Sequence, residues 1–180
     1  MRPEDFLTAD QQKIVVDAVR IAEKGTSGEI RIHIDDQCSI DPVKKAQDVF
    51  QKLGMHRTAL RNGVLIYLAC NTKVFSIIGD KGINERVDEH FWEDVIEIMS
   101  ARFKDGQFAE GLAEAVTAVG AKLRTFFPYS PEDINEQPDE ISFGQYGQYY
   151  ETIYSGTVCH YHILPCRRHP FTTKSGKTGQ

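Results

Sequence analysis

The feature that most constrains the fold is an uninterrupted apolar segment, Val64 to Cys70. It is much shorter than the roughly 20 apolar residues that a helix needs to cross a bilayer, so we expect no membrane partner. A run of this length is typical of a central β-strand that is covered on both faces. The segment therefore predicts an α/β fold built around one buried strand.

Two further strands are expected beside this segment. Residues 29–34 alternate strictly, so that three isoleucines share one face and Arg31 and His33 lie on the other. A turn follows the central segment and leads into a strand over 73–78, which predicts an antiparallel hairpin. Because a helix beginning at Pro42 separates the first strand from the second, we expect these two to be parallel, with a right-handed crossover.

Helices complete the pattern on both sides of the strands. Thr8 and Gln11 predict a capping box at the start of a helix over 9–24. Its expected core face consists of Ile14, Val15, Ala18, Ile21 and Ala22. Two more helices are predicted, one capped by Asp88 and one over 108–127. The order αβαββαα predicts an α/β class fold, an α/β/α sandwich around a small mixed sheet.

Composition and charge narrow the possible partners. The chain has 180 residues, of which 41% are hydrophobic and 26% charged, as in soluble globular proteins. The net charge is −5 overall, and −8 without the basic segment after Phe143. An acidic body argues against nucleic acid, whose affinity comes mainly from phosphate neutralisation. The sequence start does not resemble a signal peptide and the four cysteines form no disulfide framework, so we expect a cytoplasmic location.

The composition changes near Gly144, which suggests a domain over 1–143 and a C-terminal extension over 144–180. Within the domain, the proline-rich and acidic residues 128–142 are expected to form an extended strap. We interpret 144–180 as disordered or non-native sequence. Four soft ligands in it, Cys159, His160, His162 and Cys166, could hold zinc, but their spacing matches no standard finger.

Several short motifs occur in the order typical of one known family. They are Thr26-Ser27-Gly28-Glu29-Ile30, Arg61-Asn62-Gly63-Val64-Leu65-Ile66, Gly79-Asp80-Lys81-Gly82-Ile83, Phe103-Lys104-Asp105-Gly106-Gln107-Phe108 and Pro138-Asp139-Glu140-Ile141-Ser142. Together they resemble the TPM domain, found in a thylakoid-lumen protein of photosystem II repair and in many bacterial proteins. The resemblance covers roughly residues 5–143. It implies an α/β/α sandwich, binding of calcium or similar divalent ions, and, for some members, acid phosphatase activity.

The predicted topology places Glu29, Asn62 and Asp80 at one edge of the sheet. Strands one and two begin there, and the antiparallel third strand ends there. Carboxylate and amide oxygens are the ligands that Ca²⁺ and Mg²⁺ take, so we expect a divalent-metal site formed by these three residues. The alternative is that Asn62-Gly63 and Asp80–Gly82 serve only as turn residues.

The opposite edge carries Asp35 and Asp36, which could form a weaker second metal site or simply solvate the strand end. We expect the histidines of the body, His33, His56 and His90, to lie at the surface.

Three functional classes follow. The first is a metal-binding domain that acts through a protein partner. The second is a metal-assisted phosphatase in which Arg61 holds the phosphate, although no nucleophile motif is present. The third is a structural interaction domain.

Overall fold

The computed structural model describes residues 1–88 and 90–144. Its helices are α1 (Ala9–Glu23), α2 (Pro42–Lys52), α3 (Lys81–Asn84), α4 (Glu93–Lys104) and α5 (Phe108–Phe126). Its strands are β1 (Glu29–Asp35), β2 (Gly63–Ala69), β3 (Val74–Gly79) and β4 (Ser142–Phe143). Short 3₁₀ helices occupy Pro3–Asp5 and Met55–Arg57. The predicted α/β order is confirmed, with α3 and β4 as two short additions.

The sheet has the strand order β3-β2-β1-β4 and is mixed. Strand β1 pairs in parallel with β2 and β2 pairs antiparallel with β3, which confirms both predicted pairings. The short β4 adds to the free side of β1, also in parallel. Because the strap returns to the sheet in this way, β1 is an interior strand.

Helices cover the two faces of the sheet unequally. Helices α1, α4 and α5 pack on one face, against Ile30, Ile32 and Ile34 of β1 and alternate residues of β2. Helix α2 packs on the other face, mainly against β2 and β3. Every residue of β2 is buried, as expected for a strand covered on both sides. No helix in the described ranges is long and apolar enough to cross a membrane.

The first two helices begin where the sequence predicts. The Thr8 hydroxyl accepts the N–H of Gln11, and the Gln11 side chain accepts the N–H of Thr8, which completes the capping box. Asp41 caps α2 by accepting the N–H groups of Val43 and Lys44. These bonds satisfy amide groups that have no partner inside the helix.

The predicted core face of α1 is partly wrong. The helix buries Val15, Val19 and Ala22, whereas Ile14 and Ile21 are 51% and 66% exposed. Successive helical residues are rotated by about 100°, so Ile14 and Ile21 fall outside the narrow stripe that contacts the sheet and α5.

Helix α4 begins later than predicted, at Glu93. The Asp88 carboxylate accepts the N–H of His90 and closes a local turn, so it does not cap the helix. The extension after Gly144, including the possible zinc ligands Cys159, His160, His162 and Cys166, lies outside the described residues.

Candidate functional site at the sheet edge

The structure brings Glu29, Asn62 and Asp80 to one edge of the sheet, as the topology predicts. Glu29 is in register with Gly63, at the start of two parallel strands. The N–H of Asp80 donates to the carbonyl oxygen of Gly63 at 2.9 Å, where β3 ends. Asn62 immediately precedes Gly63. Gly63 thus links the three residues through the backbone.

Asp80 is buried and its carboxylate is already paired. Both oxygens accept from Arg61, at 2.7 Å from Nε and 2.8 Å from Nη2. The backbone N–H of Lys81 adds a third bond at 2.7 Å. The hydrogen bond to Asp80 raises the pKa of the Arg61 guanidinium. An anion or a cation at this edge would therefore have to compete with a bidentate ion pair.

Asn62 is fully buried and only half of its side-chain amide is satisfied. Its Nδ2 donates to the carbonyl oxygen of Ser27 at 2.8 Å. Its Oδ1 is buried and has no hydrogen-bond partner among the described residues. Buried polar atoms nearly always have a partner, so an orphaned oxygen needs an explanation.

The strap covers Glu29, which is only 3% exposed. The backbone N–H groups of Glu136 and Gln137 donate to its two oxygens, at 2.9 and 3.2 Å. Burial raises the pKa of the Glu29 carboxyl to about 7. The two N–H groups oppose the rise, while the charges of Glu136 and Asp133 add to it.

Glu23 belongs to the same neighbourhood, although no sequence pattern points to it. Its Oε1 accepts the N–H of Ile30 at 2.7 Å, which ties the end of α1 to β1. Burial raises the pKa of Glu23 to about 8, and the charges of Glu29 and Asp139 contribute to the rise. Two carboxyl groups at this edge are thus partly protonated near neutral pH.

At the opposite edge, Asp35 is held by three groups of this chain. Its oxygens contact the Tyr67 hydroxyl at 3.1 Å, Lys45 Nζ at 3.2 Å and His33 Nε2 at 3.3 Å. Burial alone would raise the pKa of Asp35, but His33 and Lys45 outweigh it and hold this pKa below its usual value. The neighbouring Asp36 bonds to the side chain of Asn71.

The prediction that His33 lies at the surface is wrong, because β4 and the strap cover this side of β1. His33 and Arg31 are 7% and 8% exposed. Nδ1 of His33 lies 2.9 Å from the Ser142 hydroxyl of β4. The alternation in β1 was visible in the sequence, but the return of a segment more than a hundred residues later was not.

No group of three or more His, Cys, Asp or Glu side chains within residues 1–88 and 90–144 is arranged to hold a metal ion. The predicted set at the first edge contains only two carboxylates, with an amide oxygen as its third member. A cation there would keep several water ligands, as is common for weakly bound Mg²⁺ and Ca²⁺.

Comparison with known proteins identifies the family. The model of the TPM domain matches residues 1–122. The chain belongs to the TPM domain family. This TPM domain is similar to the BA42 protein of the psychrophilic bacterium Bizionia argentinensis, whose structure was determined by NMR. The two share 47% identity over 78% of this chain and 97% of BA42, with a TM-score of 0.74.

A second solved structure shows the same fold at lower similarity. It is the N-terminal domain of a protein from P. gingivalis, with 19% identity, a TM-score of 0.57, and coverage of 67% of this chain and 78% of that one. No curated protein matches the chain.

Proposed function

We propose that this TPM domain is a divalent-cation-binding domain, with its site at the edge formed by Glu29, Asn62 and Asp80. The observation that carries the proposal is the buried, unpartnered Oδ1 of Asn62, next to the residue that links Glu29 and Asp80. Calcium and magnesium ions are coordinated by such amide oxygens together with carboxylates and water.

The electrostatics of the edge support a cation as the ligand. Glu29 lies near the charges of Glu136 and Asp133, and the pKa of its carboxyl is about 7. A cation would relieve this repulsion and take the place of the proton on Glu29. Cation binding is therefore expected to release protons, and affinity to increase from pH 6 to pH 8.

The same contacts imply that binding is weak. The cation must displace Arg61 from Asp80 and share Glu29 with two backbone N–H groups of the strap. We expect a dissociation constant of about 10⁻⁵–10⁻³ M, the range of weak oxygen sites. Because the cation would compete with the strap for Glu29, its binding would move the strap, and a protein partner would recognise the moved strap.

The test is a titration of the full chain with CaCl₂ and MgCl₂, followed by NMR at the Asn62 side-chain amide. Asp80→Asn should weaken binding about tenfold, since it removes a charged ligand. Arg61→Gln should strengthen binding, because it frees the Asp80 carboxylate from its competitor. Asp105→Asn, an exposed residue at the end of α4, serves as the matched control.

Opposite effects of Asp80→Asn and Arg61→Gln would support the site, and equal affinities in all variants would refute it. Shifts confined to Asp35 and Asp36 would move the site to the other edge. If no resonance shifts at millimolar calcium or magnesium, the metal-binding proposal is refuted.

The interaction-domain alternative is favoured by one specific observation. Leu60, Tyr129 and Ile134 expose large apolar side chains on the strap and on the loop before β2. Ala59 of that loop donates to the Glu136 carboxylate of the strap, so the two segments lie together. The phosphatase alternative has less support, because Arg61 is engaged by Asp80.

A further inference from the structure

Arg31, in the middle of β1, is a buried cation. It is 8% exposed and forms no ion pair with any described residue. Its one hydrogen bond within the described ranges runs from Nη1 to Oε1 of Gln137, at 3.3 Å. Burying an unpaired charge is costly, and arginine is rarely buried without a carboxylate or phosphate.

The unsatisfied donors of Arg31 lie on one side of its guanidinium group. Nε is buried and has no partner, and Nη2 makes no hydrogen bond with a described residue. Nε–H and Nη2–H form the parallel pair of donors that matches two oxygens of a carboxylate or phosphate. Arg61 uses this same pair of atoms to hold Asp80.

The side chains around Arg31 are polar, in an otherwise acidic domain. We define the polar face of β1 as its side between α2 and the strap. Lys45 of α2 reaches Asp35 at one end, and Gln137 of the strap lies beside Arg31. Burial lowers the pKa of the Arg31 guanidinium, an effect that the nearby charge of Glu140 only partly opposes.

The neighbouring ionisable groups have partners of their own. The Ser142 hydroxyl donates to the carbonyl oxygen of Ile32 at 3.1 Å and can therefore accept from His33 Nδ1. His33 Nε2 faces Asp35, and Glu29 accepts two strap N–H groups. Arg31 remains the group in this row whose charge the described residues do not compensate.

We propose that the polar face of β1 holds an oxyanion-binding site in which Arg31 binds a phosphate or carboxylate group through Nε–H and Nη2–H. Gln137 closes the site from the strap side and moves aside when the anion enters. The site is separate from the proposed cation site and does not depend on it, although the strap contacts both Glu29 and Arg31.

The test uses the purified full chain in EDTA, so that divalent cations do not contribute. Inorganic phosphate, sulfate and acetate are titrated separately, and the Nε–H resonance of Arg31 and the backbone amides of β1 and of 135–144 are followed by NMR. We expect saturable shifts with a dissociation constant of about 1 mM or lower. A response to phosphate and sulfate indicates a tetrahedral oxyanion, and a response to acetate alone indicates a carboxylate ligand.

Three variants decide whether Arg31 is responsible. Arg31→Met should abolish saturable binding, and Arg31→Lys should weaken it about tenfold because the bidentate geometry is lost. Arg124→Met, on α5 and on the opposite side of the sheet, should bind as the wild type does. If Arg31→Met does not fold, the phosphate affinity of Arg31→Lys is compared with that of the wild type.

The proposal is wrong if none of the three anions gives a saturable shift at Arg31, or if Arg31→Met and Arg31→Lys bind phosphate as tightly as the wild type. Calcium titrations read at Asn62 are independent of this result, so the cation proposal can fail or succeed separately.

Discussion

Acid is expected to stabilise this domain, and the effect can be traced to Glu29. The folded pKa of Glu29 is about 7, against 4.5 for an unperturbed glutamate. A carboxyl whose folded pKa is raised contributes stability that is complete below about pH 4.5 and is lost as pH rises through about 7. The free energy of unfolding should therefore fall between about pH 4.5 and pH 7.

The magnitude follows from the two pKa values. The difference between 4.5 and about 7 corresponds to about 3 kcal/mol. Groups around an ionised Glu29 reorient and reduce its desolvation, so we expect about half of this, roughly 1–2 kcal/mol. Glu23 has a folded pKa of about 8. Its ionisation also lowers the free energy of unfolding, over a range of pH that extends to about 8.

Urea denaturation of the full chain at a series of pH values measures this change. Glu29→Gln cannot ionise, so its free energy of unfolding should vary less with pH than that of the wild type, by roughly 1–2 kcal/mol. Glu97→Gln, an exposed change on α4, is the matched control and should keep the wild-type slope. A Glu29→Gln slope equal to the wild-type slope would refute the assignment to Glu29.

Three further outcomes test the fold. Leu65→Ala should cost about 2–5 kcal/mol in urea denaturation, because β2 is packed on both faces, whereas Ile21→Ala at the exposed face of α1 should change stability by less than about 0.5 kcal/mol. Thr8→Ala should lower stability by about 0.5–2 kcal/mol through loss of the capping box, and equal thermal midpoints for variant and wild type would contradict this. Deleting 144–180 should leave the melting temperature within a few degrees in a thermal scan, and insolubility of the shortened chain would show that the extension packs on the domain.

Much of the architecture could be predicted because its signals are local. The apolar run of β2, the alternation of β1 and the capping box of α1 each depend on neighbouring residues. Together they were sufficient to predict the parallel β1–β2 pair and the placement of Glu29 and Asp80 at the same edge of the sheet. The later start of α4 was not visible, because Asp88 closes a turn as readily as it caps a helix.

The unpredicted part of the site depends on contacts between distant residues. Arg31 and His33 looked like the solvent-facing half of a strand, and only the strap and β4 bury them. The partners of Glu29 are backbone N–H groups of Glu136 and Gln137, which no side-chain pattern reveals. The competition of Arg61 for Asp80 likewise depends on a side-chain geometry that spacing alone does not determine.

The position of β4 has a consequence for self-association. Only two residues of β4 pair with β1, yet they occupy the outer side of a strand that would otherwise end the sheet. When the strap detaches, the backbone N–H and C=O groups of β1 become available to a strand from another molecule. The strap thus prevents β1 from pairing with a strand of another molecule. Conditions that detach the strap favour domain-swapped or aggregated forms.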